Sequence, residues 1–163
     1  MTVHVVPIER VNVVSRKHFA DVLASIEAAL GHPDMPKFHR ELYASQTEAE
    51  LSHIVENAIG SSGLMEFTRF DLGGVVRKTT QNTSAKILRL VVGNPLVMKQ
   101  MVGIVPDAGS YAPVTTLIDE RPDGVHLSYD RMESQLAPYG NYEALRVARD
   151  LDATVERLLA AAA

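Results

Sequence analysis
Residues 85–103, AKILRLVVGNPLVMKQMVG, decide the fold. Ile87, Leu88, Leu90, Val91 and Val92 form a nearly continuous apolar run, the pattern of a strand buried on both faces. Arg89 interrupts it, and a guanidinium there requires a partner or a route to water. Gly93 stops the strand, Asn94 is a good helix N-cap, and Pro95 suits the first helical position, where its missing N–H costs nothing. Val97, Met98, Met101 and Val102 then share one helical face, and Gly103 ends the helix. The free N–H groups from Asn94 to Val97 are either plainly capped or hold an anion.

The elements on either side serve this strand. On its C-terminal side, Val114–Glu120 and Val125–Asp130 read as two strands joined by Arg121-Pro122-Asp123-Gly124, the strongest hairpin signal in the chain. Asn141 caps a final helix of about 20 residues, some 30 Å long, with Leu145, Ala148, Leu151, Asp152, Val155, Leu158 and Leu159 near one stripe. On the N-terminal side, Leu64–Leu72 alternates, with Phe67, Arg69 and Asp71 on one face and Glu66, Thr68, Phe70 and Leu72 on the other. Gly73-Gly74 suggests a turn or bulge, with extension of the strand through Val75–Val76 as the alternative, and Arg77–Ser84 reads as a polar turn. Earlier still, Val3–Val14, broken by Pro7, reads as an edge strand. Phe19, Val22, Leu23, Ile26 and Leu30 make an amphipathic helix. Residues 31–45 have two prolines and no period and read as a long loop. Thr47 and Glu50 form a capping box ahead of a second helix.

Hairpin connections outnumber crossovers, so the expected architecture is a two-layer α+β fold: a mainly antiparallel sheet covered by helices on one face. Its other face also carries apolar residues, and dimerisation through that face or an edge is the simplest cover.

Composition narrows the function. At 163 residues one domain, 1–163, is expected. A net charge of −4 without a basic cluster argues against nucleic acid as a partner. The absence of cysteine excludes disulfides, thiolate chemistry and Cys-ligated metal. No signal peptide and no run of 18 apolar residues is found, so a cytoplasmic protein with no membrane contact is expected. His32, His39 and His53 have no metal-ligand spacing, no nucleotide loop or hydrolase elbow is present, and neither metal nor cofactor is expected.

With these motifs in hand, the chain resembles the family catalogued as domain of unknown function 302, over roughly residues 10–160. The resemblance rests on the Gly93-Asn94-Pro95 turn, Tyr111-Ala112-Pro113, Asp119-Glu120, Tyr129-Asp130 and the stretch LMEFTRFDLGG at Leu64–Gly74. It implies a βαβ4α core of the TATA-binding-protein-like class with inserted short helices, and a homodimer. Met132 departs from it, because a proline is expected two residues after Asp130.

Six residues are candidates for ligand binding: Arg69, Asp71, Arg89, Asn94, Tyr129 and Asp130. Polar groups on central strands are expected either to line a pocket between the sheet and the C-terminal helix or to form structural Arg–Asp pairs with Tyr129 in the core. The leading functional reading is a homodimeric module binding a small apolar or amphipathic molecule, in which Met98 and Met101 serve as core or as adaptable contacts. The alternatives are a structural or interaction subunit and a metal-independent enzyme using Asp71 or Asp130 as base.

Overall fold
Five antiparallel strands form one sheet in the order β1-β5-β4-β3-β2: β1 Arg10–Ser15, β2 Met65–Asp71, β3 Ile87–Gly93, β4 Val114–Arg121 and β5 Gly124–Asp130. The computed structural model describes every residue except Thr2, His4, Asn82 and Thr83. The expected strand 3–14 and the expected turn 77–84 therefore lie partly outside the described residues. Seven α-helices accompany the sheet among the described residues: α1 Phe19–Ala29, α2 Met35–Ala44, α3 Glu48–Glu56, α4 Leu72–Thr79, α5 Pro95–Val102, α6 Met132–Leu136 and α7 Tyr142–Ala162. Reduced to β1, α1, the four later strands and α7, this is the βαβ4α core, with the other helices inserted.

One sheet face is covered by helices. Val125, Leu127 and Tyr129 of β5, Val114 and Ile118 of β4, and Leu90 and Val92 of β3 are all buried against Phe19, Val22 and Ile26 of α1 and the stripe of α7. The 21 residues of α7 pack on α1, α5, α6 and the β1–β5 side of the sheet. Pinning the C-terminal end of that helix, Ser15 Oγ donates to the Ala163 carbonyl at 2.8 Å.

The other face is open, and here the sequence reading needs correction. The apolar run of β3 is buried on one side only: Arg89 is exposed, and Ile87 and Val91 are half-buried. Register sets Phe70, Arg89, Leu117, Ser128 and Asn12 in one row across this face. The apolar side chains there alternate with polar cross-strand neighbours, so no helix is needed above them.

Three local expectations also change. Residues 31–45 contain a helix, α2, where a loop is expected. Asp34 accepts from the Lys37 N–H at 2.9 Å and Pro36 sits in the first turn, so both prolines fall where a helix start tolerates them. Gly73 and Gly74 lie in the first turn of α4 and not in a turn or bulge. A Cβ at Gly73 would meet the Ala85 carbonyl oxygen at 2.6 Å, so close approach to backbone fixes glycine there, whereas at Gly74 the near neighbour is the movable Asp71 carboxylate at 2.6 Å. Val75 and Val76 continue α4 and do not extend β2. Third, a β-bulge between Glu66 and Thr68 makes Phe67 an extra residue. Strict alternation is lost: Glu66, Arg69 and Asp71 take the register of Val92, Leu90 and Leu88 on the helix side, while Thr68 and Phe70 face outward with Val91 and Arg89. The capping box at Thr47 and the hairpin at Arg121–Gly124 form as expected, with Gly124 at φ +143°, where only glycine is unstrained.

Candidate functional site
The six candidate residues do not gather in one place. Arg69 lies on the helix side and forks onto Glu66, with Nε to Oε1 and Nη2 to Oε2 both at 2.6 Å, while its Nη1 reaches Glu27 of α1 at 2.6 Å. Its partners are glutamates, so the expected Arg–Asp pair is not formed there. Asp71 caps α4, accepting from the Gly74 N–H at 2.7 Å and pairing with Arg77. Asn94 caps α5 through the Leu96 N–H at 2.8 Å, donates to the Gly63 carbonyl at 3.0 Å, and borders an apolar cavity at the end of the sheet. Tyr129 is buried in the core. Its hydroxyl donates to Asp152 at 2.6 Å.

Arg89 and Asp130 share the open sheet face, where both line the same two shallow clefts, and Tyr129 borders one of these although its side chain is in the core. Asp130 is gripped by Arg10, with Nε and Nη2 at 2.6 and 2.8 Å. Asp71 and Asp130 therefore occupy opposite faces of the sheet, and a shared acid–base site is not assembled. The histidines are also dispersed. His32 bonds the Glu27 carbonyl at 2.9 Å, His39 stacks between Phe38 and Tyr43, and His53 bonds Asn57 at 3.0 Å.

Much of the space between the sheet and α7 is occupied by the buried core, and a cleft of about 310 Å³ lies alongside α7 against α5 and Leu64. An apolar cavity of about 130 Å³ opens at the end of the sheet where β3 leaves it. Phe67 and Gly93 form the sheet side, Met98 and Met101 of α5 the floor, and Phe38 and Leu42 of α2 the opposite wall. Leu151 of α7 closes the back, so the C-terminal helix contributes at one point. His39, Tyr43 and Pro113 stand at its rim, Tyr43 being 81% exposed. The helices α2 and α3 are held over this end by their own small core of Phe38, Val55, Ala58 and Met65.

The α2 wall is what the sequence reading missed, because residues 31–45 were expected to be a loop. The signal was present: Phe38 and Leu42 lie four residues apart behind an Asp34-x-Pro36 helix start.

A profile of the family described as "Domain of unknown function DUF302" matches residues 41–162, well over half of the chain. The chain belongs to the DUF302 family. A solved structure titled as an uncharacterized conserved protein DUF302 from Bacillus stearothermophilus superposes with a TM-score of 0.67 at 10% identity, covering 94% of this chain and 98% of that one. At that identity the likeness concerns the fold. No curated protein matches the chain. Among the described residues of this DUF302 member, no helix is long and apolar enough to cross a membrane, and no three His, Asp or Glu side chains cluster as metal ligands.

Proposed function
We propose that this DUF302 protein is a homodimeric module that binds a small apolar or amphipathic molecule in the cavity between α2, α5 and the end of the sheet. The apolar cavity itself carries this reading. Its walls are hydrophobic, its floor is two unbranched, adaptable methionines, and its few polar groups lie at the rim, the usual layout of a small-molecule site. An apolar cavity of about 150 Å³ admits a benzene-sized molecule, so a cavity of about 130 Å³ suits a short hydrocarbon segment.

Dimerisation belongs to the same reading and runs through the β1 edge. β1 is a terminal strand of the sheet, and Val5, Ile8 and Val14, on it or just before it, are 88, 55 and 49% exposed. A second copy pairing there would cover these side chains and the unpaired backbone of the edge. The alternative is an interaction subunit acting through the open sheet face, which Phe70, 48% exposed, favours.

Titration of the methionine methyl signals with 1-hexanol tests the cavity. Saturable shifts at Met98 and Met101 are expected, with a raised melting temperature by mass action. Met98→Trp, which fills the space, should abolish them. Shifts that do not saturate, or that persist in the filled variant, would sink the reading. The mass in solution tests the rest: a dimer is expected, dissociated by Ile8→Asp with Val14→Asp, and a monomeric wild type would refute it.

A further inference from the structure
We infer that the molecule held in the apolar cavity is an aliphatic carboxylate whose head is bound by Arg89. The inference rests on the cavity reading above and deepens it. Four arginines lie on strands. Arg10 holds Asp130, Arg69 holds Glu66 and Glu27, and Arg121 holds Asp119. Arg89 has neither an ion pair nor a hydrogen bond to any described residue, though it occupies the middle of the open face, between Phe70 and Leu117 in register. Arg89 is exposed on that face, so its guanidinium is open to a ligand arriving from solvent. A guanidinium there is preorganised to receive a carboxylate.

The surroundings fit that head. Beside Arg89 a cleft of about 210 Å³ carries the hydroxyl-bearing residues Ser110, Tyr111 and Thr115. Asp130 also lines it, but the fork of Arg10 neutralises that carboxylate, so Arg10, Asp130 and Arg89 together leave one positive charge. Pro113 and Val114 line both the cleft and the apolar cavity, so the two lie on either side of the same short stretch at the start of β4. Gly93, Val91 and Arg89 follow one face of β3 at two-residue spacing, about 13 Å from end to end. Gly93 borders the cavity, Val91 offers an apolar step, and Arg89 ends the track. An aliphatic carboxylate lying along this path of about 13 Å points its tail toward the methionines with its carboxylate at the guanidinium.

Octanoate and 1-octanol share a tail and differ in charge, so calorimetric titration of each into the whole chain separates the two readings. Octanoate is expected to bind at least tenfold more tightly than 1-octanol, and the advantage should shrink with added salt. Arg89→Gln, at an exposed position where folding is retained, should erase the advantage and leave 1-octanol binding unchanged. Equal binding of the two probes, or an advantage that survives Arg89→Gln, overturns the carboxylate inference while the cavity reading stands. Failure of both probes to bind overturns both. Met98→Trp should abolish binding of either probe, and octanoate binding that persists in it also counts against the inference.

Discussion

The Tyr129 hydroxyl donates a 2.6 Å hydrogen bond to the Asp152 carboxylate, inside the packed layer between the sheet and α7. Asp152 also accepts from the Met132 and Glu133 N–H groups at 2.8 and 3.0 Å. One buried carboxylate thus ties β5, the start of α6 and the long final helix together. Burial pushes the Tyr129 hydroxyl well above the usual tyrosine range, with the adjacent Asp152 charge adding to it.

Removing the hydroxyl leaves Asp152 one donor short. Tyr129→Phe should cost about 1–3 kcal/mol, the usual penalty for a buried polar group losing its partner, read from urea unfolding at neutral pH. The native state holds the Tyr129 proton more tightly than the unfolded chain does. Stability from this group is therefore full below about pH 10 and declines as pH rises beyond it. That part of the alkaline decline should be missing in the phenylalanine variant. An identical alkaline limb in both proteins would contradict the burial argument.

Asp152 itself titrates upward, because burial outweighs the three hydrogen bonds that favour its charged form. A carboxyl raised on folding binds more protons in the native state between its unfolded and folded pKa values. Stability from this group is thus greatest below the ordinary aspartate value of about 4 and is lost as pH rises through the folded value. Asp152→Asn removes the titration. The stability of the variant minus that of the wild type should increase with pH across the acidic range, whatever constant offset the lost charge introduces. A difference that stays flat or decreases would show that the hydrogen bonds dominate after all.

Arg69 bridges Glu66, only 8% exposed, to Glu27 on α1, and so couples β2 to the helical layer. Arg69→Met leaves Glu66 shielded, with only the His32 ring nitrogen at 3.7 Å beside it among the described residues. Because the arginine is itself over a third exposed, solvent softens the loss, and about 1–2 kcal/mol is expected, less than for a fully buried pair. Glu66→Gln should recover much of it in the double variant. A double-mutant cycle by thermal unfolding reads the coupling directly, and additive effects would mean that the bidentate geometry contributes nothing.

Strong local chemistry made most of the fold legible. The Pro122-Asp123-Gly124 turn, the Thr47 capping box and the Asn94-Pro95 helix start each specify a backbone geometry through a few adjacent residues, and each forms. Features set by distant contacts were not legible. Gly73 and Gly74 read as a break because glycine weakens a helix, yet they lie in α4, where the distant Ala85 carbonyl leaves no room for a Cβ at Gly73. The bulge at Phe67 reverses the faces of everything after it on β2, and nothing in MEFTRFD marks which residue is extra. Of the candidate site, the residue types were visible but their faces were not. Arg69 and Arg89 look alike in sequence, and only the register separates a paired structural arginine from an unpaired one on the open face.

The departure at Met132 supplies the sharpest test of the Asp152 knot. Proline is the residue that the resemblance leads one to expect here, and the backbone already suits it: Arg131 is extended, at φ −59° and ψ 127°, and Met132 is the first residue of α6. Sterically, Met132→Pro should therefore be tolerated. Chemically it should not, because the Met132 N–H is not a spare helix-end donor but reaches Asp152 at 2.8 Å. Met132 is also fully buried, so truncating the side chain has its own cost, about 2–5 kcal/mol for methionine to alanine. Met132→Ala retains the N–H and serves as the reference. Against it, Met132→Pro should be less stable by about 1–2 kcal/mol, since a hydrogen bond to a charged acceptor is worth about 1.5–3 kcal/mol and proline returns about 0.4–1 kcal/mol through the unfolded chain. In the Asp152→Asn background the gap should narrow. A proline variant as stable as the alanine variant in the wild-type background would mean that Asp152 is held by Tyr129 and Glu133 alone.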